Sequence, residues 1–318
     1  MSDPTGAPDP AGTAPHAPKV GWAKRLLGPL YFTSAFWYKF PGEGMKRTPV
    51  WMRIAALPIA TVLCFVFLGN IRRAIGRNRE LVEGKASWYR RQRWAWSTFY
   101  QFAWCYMERF EQFLPGFKAT STVEARHHWD KLIDAGRGFV LVTAHIGHWE
   151  MGSTLPTSKS DLEIHLVREP EIDPKAQEYT EQLVAQLGGA RYVTHFAQGE
   201  LDLGLELANA LKDGHIVALQ GDRPRTGGQM IEAPLFGTTF PFPRGVSALA
   251  RLTRTPLLPV FLLRTGRRSY NVIFRPPIQV ERTRNRDADL LKATTTLASE
   301  IEWAVRREPA QWFCLREI

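Results

Sequence analysis

His145, His148 and Glu150 close an apolar run, Phe139 to Ala144, inside the stretch LVTAHIGHWEMG at residues 141–152. A carboxylate bonded to one imidazole nitrogen fixes the tautomer and raises the basicity of the other, which can then take a proton from an incoming hydroxyl. On a continuous helix, residues five apart lie about 140° apart and cannot touch. His145 and Glu150 therefore meet only if the chain bends between them, and Gly147 supplies that freedom. No Gly-x-Ser-x-Gly elbow is present and no cysteine is near in sequence. The expected chemistry is a base acting directly on a substrate alcohol, a single displacement without a covalent intermediate. Two other readings stay open at this stage. His145, His148 and Glu150 could ligate a metal, as in a metal-dependent hydrolase of membrane lipids. They could equally be polar residues at the solvent-facing start of a helix.

The elements that must position these residues alternate. Strands are expected at GFVLVTAH, at LEIHLV (162–167), at RYVTH, at HIVALQ (215–220) and at PLLPVFLLR, with SYNVIFR as the antiparallel neighbour of the last. Helices are expected from Gly147, around Ala176 to Leu187, around Leu201 to Leu211, over RGVSALARLTR, and around Leu290 to Ala304. This pattern predicts an α/β fold, a mostly parallel sheet covered by helices, with sites at the carboxyl ends of the strands. His145 to Glu150, Arg168 and Gly221-Asp222-Arg223 all fall at such ends.

Charge divides the chain differently. Of the net +10, residues 19–118 hold 17 Lys and Arg against five acids, together with seven of the eleven tryptophans. Basic and aromatic residues mixed in this way suit nucleic acid or a membrane interface. From Ile54 to Ile71 run 18 residues without a charge, flanked by Arg53 and by RRAIGRNR. A bilayer uses such a run; a nucleic-acid surface does not. The expected organisation is a disordered Pro/Ala/Gly tail over 1–18, a basic aromatic membrane-associated helical region over 19–118 with its anchor at 54–71, and an α/β domain over 119–318. Residues 86–114 read as a helix with Phe99, Phe102, Tyr106, Phe110 and Phe113 along one stripe. Cys64, Cys105 and Cys314 match no metal or redox spacing and read as ordinary thiols of a reducing compartment.

AHIGHWEMG after an apolar strand resembles the motif of the glycerolipid-type acyltransferases: a His, four residues, then an acid. It looks most like the branch holding the bacterial lipid A late acyltransferases and the phosphatidylinositol mannoside acyltransferases. HLVREP after the second strand agrees in order, as does IVALQGDRPRTGGQMIEAPLFGTTFPFPRGVSALARLTRTPLLPVFLLR. The resemblance covers roughly residues 50 to 315. It implies transfer of a fatty acyl group from an acyl carrier protein or coenzyme A thioester to a hydroxyl of a lipid or glycolipid, with no cofactor. In it His145 is the base and Glu150 its partner, while Arg168, Asp222 and Arg223 line the site; Arg225 and Arg244 are candidates for the same anionic ligand. The implied place is the bacterial inner membrane, with the catalytic domain on the cytoplasmic side where both thioesters are found. The chain departs from the lipid A enzymes in carrying Gly221-Asp222-Arg223 where they show Asp-Gln-Asp. A membrane-binding protein without activity on the same scaffold would have no use for His145 and Glu150.

Overall fold

A computed structural model describes residues 44–150, 162–168, 173–185, 191–196, 200–223 and 228–318. The expected disordered tail over 1–18 and Arg225 lie outside these residues.

Strand β2 (Phe139–Thr143) alternates by the period of two that an extended chain imposes. Val140 and Val142 face one core, Phe139 and Leu141 the other. Strand β8 (Leu257–Gly266) does the same, with Leu257, Phe261 and Leu263 on the first side and Leu258, Val260 and Leu262 on the second. Both faces of the sheet are thus buried, as a parallel sheet requires. Around these two strands seven are ordered β1-β9-β8-β2-β5-β3-β4, with β1 (Thr120–Glu124), β3 (Glu163–Arg168), β4 (Arg191–Phe196), β5 (Ile216–Gln220) and β9 (Ser269–Phe274). Every neighbouring pair is parallel except β8 with β9.

The face of Val140 is covered by α6 (Glu200–Lys212), α7 (Arg244–Thr253), α8 (Arg286–Arg307) and a hairpin of β6 (Met230–Leu235) with β7 (Thr238–Pro243). The face of Phe139 is closed by Trp129 of α4 (His127–Asp134), 1% exposed and edge-on to Phe139 at 5.5 Å. Helix α5 (Pro174–Ala185) lies between β3 and β4 in the chain. The fold is the expected α/β class with a mostly parallel sheet. Strand β1, helix α4 and the hairpin were not anticipated.

Before the sheet come α1 (Val50–Phe67), α2 (Gly69–Glu83) and α3 (Trp88–Glu111). The apolar helix covers Val50–Phe67, whereas the candidate anchor was expected over 54–71. Leu68 leaves helical geometry, and Gly69, Asn70 and Ile71 begin α2. Helix α1 buries only Leu57 and Thr61, whereas Ile59, Val62, Leu63, Val66 and Phe67 are exposed along its other side. Helix α3 is tied to the sheet by buried acids. Glu108, fully buried, accepts from the Tyr270 hydroxyl at 2.7 Å and the Arg268 backbone N–H at 2.8 Å. Glu111 accepts from Arg53 of α1 at 2.6 Å and from Arg268 at 2.9 Å. Burial pushes the Glu108 carboxyl up, against the lowering by Arg268, Tyr270 and Arg264.

Candidate active site

Strands β2 and β5 are parallel neighbours in the register Thr143 opposite Gln220. Residues two beyond each, His145 and Asp222, therefore emerge side by side at the carboxyl edge of the sheet. The carboxylate of Asp222 uses both oxygens on His145: Oδ1 lies 2.8 Å from Nδ1, and Oδ2 accepts the backbone N–H at 3.0 Å. Asp222 is buried, while the His145 side chain keeps 16% of its exposure. Burial pulls the Asp222 carboxyl upward, but His145 and Arg223 outweigh it and hold the group below the usual carboxylate range. An ionised Asp222 accepts from Nδ1–H and leaves Nε2 as the nitrogen that can take a proton.

Glu150 goes elsewhere. Its carboxylate meets Arg109 of α3 at 2.9 Å and Arg168 at the end of β3 at 3.9 Å. In this structure the acid bonded to the imidazole is Asp222 and not the expected Glu150, which instead meets two arginines. The physical reason lies in the turn. No helix starts through Glu150; Gly147 takes a left-handed φ of 62° and the loop runs flat against β8. The Gly147 N–H donates to the Gln311 carbonyl at 2.9 Å, and the His148 N–H to the Leu262 carbonyl at 2.7 Å. These bonds carry Glu150 away from the imidazole.

The C-terminal segment frames the other side. Phe313 donates its N–H to the His145 carbonyl at 2.9 Å, and its own carbonyl accepts from Arg223. Gln311, 1% exposed, brackets Arg264 of β8 with two bonds of 2.8 Å. Aromatic rings run from the base towards α3: His145 to Trp149 at 5.1 Å, Trp149 to Phe313 at 5.9 Å, and Phe313 to Phe102 at 5.3 Å.

His148 is not part of this pair. It is fully buried edge-on to Tyr270 at 5.6 Å, its Nε2 has no hydrogen-bond partner among the described residues, and burial holds its pKa down to about 4. Arg244 pairs with Asp287 at 2.7 Å at the start of α8, and no bond joins it to His145 or Asp222 among the described residues. The same residues contain no three His, Cys, Asp or Glu side chains arranged to hold a metal ion, and His145 and His148 turn to different partners. Sequence reasoning missed Arg109, Trp149, Gln311 and Phe313. Arg109 reaches the site from α3, and Gln311 and Phe313 from the C-terminal segment, so no local motif marks them.

Residues 48–317 match the family described as bacterial lipid A biosynthesis acyltransferase. The chain belongs to that family. It is a lipid acyltransferase, taking an acyl donor and a lipid acceptor. Among curated proteins no match is found. A crystal structure of the 1-acyl-sn-glycerophosphate (LPA) acyltransferase PlsC from Thermotoga maritima is similar at 12% identity. The likeness covers 79% of this chain and 97% of that one with a TM-score of 0.36. Within the lipid A acyltransferase family, then, this member has its motif histidine bonded to an aspartate just past the end of the neighbouring strand.

Proposed function

We propose that this lipid A family member moves a fatty acyl group from an acyl carrier protein or coenzyme A thioester to a hydroxyl of a lipid or glycolipid at the bacterial inner membrane, on its cytoplasmic side. The observation that carries the mechanism is the two-oxygen grip of Asp222 on His145. With Nδ1–H bonded to the carboxylate, Nε2 takes the acceptor's hydroxyl proton as the oxygen attacks the thioester carbonyl carbon. The tetrahedral intermediate collapses by breaking the carbon–sulfur bond, and the imidazolium returns its proton to the thiolate. Proton and acyl group balance without an enzyme-bound intermediate. Asp222 stabilises the imidazolium in between, and its low pKa keeps it ionised for that purpose.

Arg109 and Arg168, brought together by Glu150, supply positive charge for an anionic part of either substrate, since guanidinium groups clamp phosphate in two-pronged fashion. The rings from Trp149 through Phe313 to Phe102 support an apolar path for the acyl chain from α3 to the base. The exposed apolar side of α1, with Trp51 at its start, supports membrane attachment.

The test compares total membrane lipids by mass spectrometry from bacteria expressing wild type or His145→Ala at equal protein levels, in a host deleted for any near relative. Wild type is expected to add one acyl mass to one lipid class, and the variant to lose about 10²- to 10⁴-fold of that activity. An equal shift from both proteins would remove His145 as the base.

A further inference from the structure

Helix α2 follows the exposed apolar helix directly, and Asn70, Arg73 and Arg77 recur at three- and four-residue spacing along one side of it. Opposite that side runs the C-terminal segment with Arg316 and Glu317. Between them opens a cleft of about 320 Å³ lined by Asn70, Arg73, Arg77, Arg316 and Glu317, with apolar neighbours. This volume lies within the range of small-ligand sites. The cleft has no role in the chemistry at His145.

Its wall is built rather than incidental. Asn78, 2% exposed, spends its whole amide on the segment: Nδ2 donates to the carbonyls of Cys314 at 3.1 Å and Arg316 at 2.6 Å, and Oδ1 accepts the Ile318 N–H at 3.1 Å. The charges on the wall do not cancel. Arg77 pairs with Glu317, but among the described residues Arg73 bonds the neutral amide of Asn70, and Arg316 lies 6.0 Å from the Phe240 ring. Neither Arg73 nor Arg316 meets a carboxylate among the described residues.

Three guanidiniums against the one carboxylate of Glu317, around a cleft of this size, select an oxyanion with several acceptor oxygens, which is the chemistry of phosphate. We infer that the cleft between α2 and the C-terminal segment binds a phosphate group, supplied by the headgroup of an anionic lipid in the bilayer that α1 enters. The lipid source rests on the membrane reading above; the phosphate chemistry does not. A headgroup held there sits on the same segment that frames His145, since Phe313 and Arg316 are three residues apart.

Arginine modification by phenylglyoxal, read peptide by peptide in mass spectra of the full chain in neutral detergent, tests this without using activity. Arg282 and Arg284, exposed and remote in sequence, are internal references. Phosphatidylglycerol is expected to slow modification of Arg73 and Arg316 several-fold and leave the references unchanged, whereas phosphatidylcholine does neither. In R73Q/R316Q, the protection of Arg77 by phosphatidylglycerol should disappear. Protection by glycerol 3-phosphate alone, at the same concentration, would keep the phosphate site and move its source to a soluble ligand. Cleft and reference arginines slowing equally, or none slowing, would overturn the site. H145A should protect as well as wild type, so loss of the acyl-transfer reading and loss of the cleft reading give different results.

Discussion

One aspartate and one glutamate compete for the role of partner to His145, and they can be separated by single-atom changes. Asp222→Asn keeps the shape but removes the charge that stabilises an imidazolium, and the amide can leave Nδ1 as the unprotonated nitrogen. Its kcat is expected to fall about 10²-fold or more while thermal stability changes little beyond that of a lost buried bond. Glu150→Gln keeps the His145–Asp222 pair and loosens Arg109 and Arg168 instead, so it should raise KM for the substrate they hold and spare kcat. Steady-state kinetics on both variants decide: a collapse of kcat in Glu150→Gln with none in Asp222→Asn would restore the sequence-based pairing. His148 offers a second residue-level prediction through its pKa of about 4. An unfolded histidine titrates near 6.5, so between about 6.5 and 4 the unfolded chain binds more protons than the folded one. Stability must then rise with pH across that window, and on acidification the loss from this group is on the order of 3 kcal/mol. Melting temperature against pH should show this slope in wild type and a flatter one in His148→Asn.

Between the residues and the sheet stands the turn after β2, where one glycine decides the path. A Cβ on Gly147 would lie 2.0 Å from the Leu262 carbonyl oxygen, and its φ of +62° already disfavours any side chain. Gly147→Ala must push the loop off β8 and with it the backbone of His145. The expected result is a destabilisation of about 2 kcal/mol or more, seen as a lowered melting temperature, together with lost activity. The need for glycine at this bend was legible in the sequence, because His145 and Glu150 are separated by a residue that can turn. Where the bend leads was not. Asp222 stands beside His145 only because β5 pairs with β2, although β3 and β4 intervene in the chain. Nothing local encodes that adjacency. Periodicity gave strands β2 to β5, β8 and β9 and the helices α5 to α8, since each carries its own apolar pattern. The β6–β7 hairpin escaped because its prolines, Pro234, Pro241 and Pro243, look like loop residues, yet it packs Ala233, Leu235, Phe240 and Phe242 into the core. The apolar helix lies four residues before the expected run at each end for a related reason: lack of charge marks an apolar run but not where its helix breaks.

At the scale of the whole molecule, the question is how a helix about 27 Å long meets a bilayer. Its length nearly matches a hydrocarbon core of about 30 Å, so composition alone favours crossing. The packing argues otherwise. Helix α1 runs antiparallel along α3: Arg53 near its start pairs with Glu111 at the end of α3, and Phe65 near its end meets Trp96 near the start of α3 at 5.8 Å. A crossing α1 would draw α3 into the hydrocarbon beside it, with Arg90, Arg91, Arg93 and Arg109 on that helix. Charges at that depth are costly. If α1 stays docked, it lies along the surface of the domain and presents Ile59, Val62, Leu63, Val66 and Phe67 to one leaflet. The basic residues that follow, Arg72, Arg73, Arg77 and Arg79, then sit at headgroup level. Single cysteines at Trp51 and Phe67, in a Cys64→Ser background, distinguish the arrangements in right-side-out and inverted vesicles. With α1 in one leaflet, a membrane-impermeant maleimide labels both positions from the same face. Labelling of the two ends from opposite faces would show that α1 undocks from α3 and crosses, and the Arg53–Glu111 pair would then have to open in the membrane-bound enzyme.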